Sequence, residues 1–172
     1  MHISFPQLTW LFYLILAFVF LPGIFYVRYH RLPFVVPLIP KNKYDIVEYL
    51  YAHLHLLFTI FIFIWPLTTT WHPFLGSILF FLGCALQVWS VISFGASWRI
   101  GQDRNDTDCE FVCKGPFRIM SHPIYVSLVF IAFGQAMLMG IEWRSAILVL
   151  GTLAYIFVQA NAETKYWKRK QK

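Results

Sequence analysis

The sequence predicts an all-α, polytopic integral membrane protein with about five transmembrane helices, the last two closing into a short helical hairpin. Three observations predict it. Composition is the first: 59% of the 172 residues are hydrophobic, against about 45–50% in soluble domains. Scarcity of charge is the second. Charged residues make up 13% of the chain, about half the usual share, too few to cover a water-facing surface. The third is arrangement, because long apolar runs alternate with basic, proline-bearing connections. A chain of this length makes one membrane domain, 1–172, with no room for a second.

The first span is expected at 6–27, long enough to cross about 30 Å of hydrocarbon. No basic flank precedes it, so it reads as a retained span and not a secretory leader. Pro22-Gly23 predicts a kink within it. Arg28, His30 and Arg31 stop it, and Pro33, Pro37 and Pro40 mark the loop that leads to Lys41 and Lys43. Asp45 and Glu48 favour the start of the next helix through its dipole. The second span, 50–71, carries His53 and His55 in its first turns. Two residues apart, they share no helix face. Both are read as interfacial side chains at headgroup level, with a proton-relay or substrate role as the alternative.

His72-Pro73 makes a tight turn into a third span at 74–95, where Gly76, Gly83 and Cys84 are small enough for close helix approach. The loop that follows, 96–122, mixes Arg99, Asp103, Arg104, Asp106, Asp108 and Glu110, as a solvated segment does. Cys109 and Cys113 have metal-like spacing, but no second ligand pair follows, so no metal site is expected. Three cysteines give no disulfide framework. The fourth and fifth spans, 123–140 and 145–160, are both short and are joined by Met139-Gly140-Ile141-Glu142. Beyond them a basic tail, 164–172, interleaves Lys and Arg with Tyr166 and Trp167 as an interfacial anchor.

The net charge of +6 does not point to nucleic acid. The first loop holds Arg28, Arg31, Lys41 and Lys43; the second holds Arg99, Arg104, Lys114 and Arg118; the tail holds five more. With five spans all three segments lie on one side, and only Arg144 falls on the other. The positive-inside rule then places the long loop and the C-terminus in the cytoplasm and the N-terminus outside, with the lipid bilayer as the partner that the charge serves.

One stretch concentrates the chemistry: 114–125, Lys-Gly-Pro-Phe-Arg-Ile-Met-Ser-His-Pro-Ile-Tyr. Pro123 suits the first turn of a helix, and Ser121 stands where a hydroxyl can cap it. His122 and Tyr125, three apart, share a face of that helix. The unpaired N–H groups of the helix start attract anions. On these residues the chain resembles the isoprenylcysteine carboxyl methyltransferase and phospholipid methyltransferase group of membrane enzymes. Phe111-Val112-Cys113-Lys114-Gly115-Pro116-Phe117-Arg118 and Ser121-His122-Pro123-Ile124-Tyr125 occupy the places of its signature, preceded by a similar run at 95–101. The likeness extends over about 74–163 and departs from the pattern at Ser121, where Arg is usual, and in the shortness of the tail after Glu163.

The resemblance implies an S-adenosylmethionine-dependent methyltransferase acting on an amphiphilic small molecule or lipidated substrate at the cytoplasmic boundary. It implies cofactor contacts from Lys114, Gly115, Pro116, His122, Pro123, Tyr125 and Glu163, with Glu163 and Arg118 acting in catalysis. Each residue also has a plainer reading. Lys114 and Arg118 suit positive-inside charges, Tyr125 an interface aromatic, and His122 and Glu163 polar helix ends. Two other functions compete: an NADPH-dependent membrane reductase of the sterol-reductase type, and a non-catalytic relative. Lys168-x-Lys170 fits an endoplasmic-reticulum retrieval signal, while in a bacterial inner membrane the same residues are only an anchor. Methyl acceptor, carboxyl or amine chemistry, and oligomeric state stay open at this level.

Overall fold

Apolar runs of this length satisfy their backbone polar groups internally only as helix, and helix is what they form. The computed structural model describes residues 3–34, 43–64, 72–100, 112–140 and 142–170, with only the backbone described for Tyr44 and residues 165–170. Among these residues six α-helices follow in order: α1 (Phe5–Ile15), α2 (Leu21–Tyr29), α3 (Lys43–Ile64), α4 (Pro73–Phe94), α5 (Pro123–Met139) and α6 (Trp143–Lys170). The first two are one continuous apolar helix, Phe5–Tyr29, joined through a π-helical stretch at Leu16–Phe20. The expected irregularity at Pro22-Gly23 thus appears one turn upstream, as a π-bulge ahead of the proline.

Among the described residues four helices are long and apolar enough to cross a membrane: Phe5–Tyr29, Asp45–Ile64, Pro73–Ser97 and Trp143–Thr164. The shorter apolar helix α5 makes the fifth, at 17 residues, about 25 Å of rise. The last two helices do form a hairpin, turning at Gly140, but its second arm is not short. α6 runs 28 residues, through Lys170, because nothing between Ala160 and Lys170 breaks the helix and its polar residues simply continue past the apolar part. The anchor expected at 164–172 is therefore helical as far as 170.

Bundle packing rests on small residues between α4 and α5. A Cβ on Gly83 would meet the Ile131 backbone nitrogen and the Ser127 carbonyl, both at 2.9 Å. One on Gly134 would meet the Phe80 nitrogen at 2.5 Å. The two backbones touch, as the spacing of Gly76 and Gly83 suggests, and Cys84 is buried beside them.

The two ends of the bundle differ in kind. One end is tied by buried amides: Gln7 Nε2 donates to the Ile62 carbonyl at 2.7 Å, Gln135 Nε2 to the Pro6 carbonyl at 2.8 Å, and Thr9 Oγ1 to Gln135 at 3.0 Å. At the other end lie the basic connections. His30 closes α2 in the left-handed conformation, φ 54°. The chain then runs alongside the segment after α4, where Phe34 and Ile100 form a parallel bridge and Ile100 N–H donates to the Pro33 carbonyl at 2.6 Å. Arg31 bonds the Ala96 carbonyl and lies over the Phe25 ring.

The histidines of α3 part company. His53 is exposed, as an interfacial residue is. His55 is buried, stacked on Trp10 at 5.6 Å and edge-on to Tyr51 at 4.3 Å. The headgroup placement expected for it fails because one side of α3 turns inward against α1. The residues after Ile64, up to 71, lie outside those described, as do Pro37, Pro40, Lys41 and 101–111 with Cys109.

Candidate active site at the basic end

The site is assembled by a short 3-10 turn, Gly115–Arg118, that seats the signature loop on α4. Gly115 has φ +58°, and a Cβ there would fall 2.1 Å from Ser93 Oγ. Only glycine takes both that conformation and that contact. Pro116 is fully buried, and Phe117 stacks on Phe94 at 5.1 Å. With the turn pinned to α4, the chain reaches His122 and starts α5 at Pro123. Pro123 occupies the first helical position, where its missing N–H leaves no bond unmade. The cap is His122, not Ser121, and it makes no side-chain capping bond. Ser121 is exposed, outside the helix start. The imidazole is thereby free to point elsewhere.

It points at α6. His122 Nδ1 lies 3.3 Å from Glu163 Oε2, and its Nε2 lies 3.3 Å from Thr164 Oγ1. The Tyr125 hydroxyl donates to Glu163 Oε1 at 2.5 Å, the length of a charge-assisted bond. The His122 and Tyr125 rings are 5.5 Å apart, on one face of α5. One carboxylate from α6 thus joins two side chains from the first turn of α5. Side-chain exposure of 27% for His122 and 35% for Glu163 leaves this trio open to solvent while Tyr125 lies deeper.

A second carboxylate lies further along the same helix, and sequence reasoning missed it as a site residue. Glu48 of α3 accepts from the Tyr155 hydroxyl at 3.0 and 3.1 Å and from Gln159 Nε2 at 3.0 Å. Tyr155 also stacks face to face on Tyr51 at 3.8 Å and meets Tyr125 edge-on at 6.2 Å. A signal was present for its partners but not for Glu48 itself: Tyr155, Gln159 and Glu163 recur every fourth residue, so they form one polar stripe along α6. Lys114 and Arg118 are exposed and stand outside the cluster, with no ion pair to its members among the described residues. Gly115 and Pro116 have a packing reason for their identity, which is the seat on α4.

A helical membrane bundle carrying a polar, half-open site at its basic end defines the class of protein. Residues 71–170 match the sequence profile of one family, Phospholipid methyltransferase, and the chain belongs to that family. It is a membrane methyltransferase. Comparison with curated proteins and with solved structures gives no match.

Proposed function

We propose that this chain transfers a methyl group from S-adenosylmethionine to a lipid-like or amphiphilic acceptor at the cytoplasmic membrane boundary. The observation that carries the reading is the meeting of His122 and Tyr125 with Glu163 across two helices. The residues suit such a donor. Glu163 offers an acceptor to hydroxyl or ammonium groups, His122 adds a polar ring, and the start of α5 has unpaired N–H groups for a carboxylate. Bound there, the donor supplies a methyl activated on a sulfonium.

The chain's own part is placement. Methyl displacement disperses positive charge, so alignment and exclusion of water carry most of the rate. Tyr125 and His122 hold the Glu163 carboxylate in one orientation, and the Gly115–Pro116 turn fixes where α5 begins. Lys114 and Arg118, exposed beside that turn, suit an acidic part of donor, acceptor or lipid headgroup. The same reading sets the basic end, with the C-terminus, in the cytoplasm and the N-terminus outside.

Titration of the detergent-purified protein with S-adenosylmethionine tests the proposal, followed by transfer of labelled methyl to a membrane lipid extract. Saturable binding that falls about 10-fold or more in Glu163→Ala and His122→Ala is expected. Thermal stabilisation by NADPH and none by S-adenosylmethionine would reverse it in favour of a reductase.

A further inference from the structure

Glu48 stands apart from everything the family match covers, since α3 precedes residue 71. It is nonetheless wired into the site. A half-buried carboxylate inside a membrane-spanning helix is expensive to keep unless it is paired or works. Its hydrogen-bond partners among the described residues are the neutral donors Tyr155 and Gln159. Both sit on α6 directly below Glu163 on the same stripe. Tyr155 is the joint: its hydroxyl goes to Glu48, its face lies on Tyr51 of α3, and its edge meets Tyr125 of α5.

We propose that Glu48 is a positioning residue for the methyl-transfer site. By gripping two successive stripe positions of α6 it sets the rotation of that helix, and the rotation decides whether Glu163 faces His122 and Tyr125. A helix turns as a unit over one or two turns. A slip of one residue at Tyr155 would swing Glu163 by about 100°, away from the imidazole.

The inference rests on the function proposed above, so its first test uses no ligand. Side-chain 15N NMR of His122 reports the Nδ1 contact with Glu163 in the resting protein. Wild type, Glu48→Gln, Glu48→Ala and Tyr155→Phe are compared. Glu48→Gln keeps an acceptor for Tyr155 and Gln159 and is expected to retain most of the His122 signature. Glu48→Ala is expected to lose it, and Tyr155→Phe to weaken it while leaving ring packing intact. In the assay, Glu48→Ala is expected to raise KM for S-adenosylmethionine about 10-fold, with Glu48→Gln restoring it to within about threefold.

Should Glu48→Ala not fold, the pair Glu48→Gln and Tyr155→Phe decides through a double-mutant cycle on the same NMR signal. Coupling between the two substitutions supports the grip, and strict additivity refutes it. An unchanged His122 signature in every folded variant overturns the proposal, whatever the activity shows. Failure of wild type to bind the methyl donor, with the NMR effect intact, would sink the functional reading and leave the positioning role standing.

Discussion

Tyr125 shows how much one hydroxyl can decide. Its 2.5 Å bond to Glu163 joins α5 to α6 at the level where the chain leaves the apolar layer. A hydrogen bond to a charged group is worth about 1.5–3 kcal/mol, and Glu163 is a third exposed, so the lower figure applies. Tyr125→Phe should therefore cost about 1.5 kcal/mol of stability, a melting temperature lower by about 3–6 °C, and should weaken S-adenosylmethionine binding by releasing the Glu163 carboxylate. Equal affinity in isothermal titration of the two proteins would remove Tyr125 from the site. His122, Pro123 and Tyr125 could be singled out from sequence because they lie within four residues of one another. Glu163 came only through the family resemblance, and Glu48 could not be found as a site residue at all. Its partners lie more than a hundred positions away, and an acid near a helix start looks the same whether it faces water or a tyrosine.

At the level of the helices, glycines decide which pairs touch. Gly134 has the Phe80 backbone where a Cβ would be, so Gly134→Ala forces α4 and α5 apart. The expected loss is about 1–3 kcal/mol, read as a lower melting temperature in detergent. Gly23 is the control. A Cβ there meets nothing within 4 Å, and alanine suits a helix interior better by up to about 1 kcal/mol. Gly23→Ala should raise the melting temperature or leave it alone. A matching drop in both variants would show that close approach is not the reason for Gly134. Gly76 and Gly83 were legible as contact residues, because small side chains inside an apolar run have few other uses. Gly134 was not, since the sequence does not say which face of α5 meets which neighbour. The full length of α6 was equally hidden, as its last turns are polar and look like a loop when hydropathy alone is read.

Taken as a whole, the bundle gathers the Arg28–Phe34 connection, the turn after α4, the signature turn and the polar end of α6 at one end. The orientation proposed above sets that end in the cytoplasm. Cys113 is exposed there and Cys84 is buried, which gives a direct assay. In a Cys109→Ser background, a membrane-impermeant maleimide should label Cys113 in inside-out vesicles and spare it in intact cells. The opposite pattern would turn the protein over and detach the proposed site from a cytoplasmic donor.

By itself the sequence determined that the chain is a helical membrane protein and which connections carry the basic charge. Hydropathy and charge are sums over neighbours in the chain, and such sums survive without coordinates. Only the tertiary structure decided that His122 and Tyr125 share the Glu163 carboxylate, that His55 turns inward, and that Glu48 holds the same helix from the other side. Those facts depend on how each helix is rotated about its own axis. Rotation is set by side chains from different helices closing on one another, and no local pattern records it.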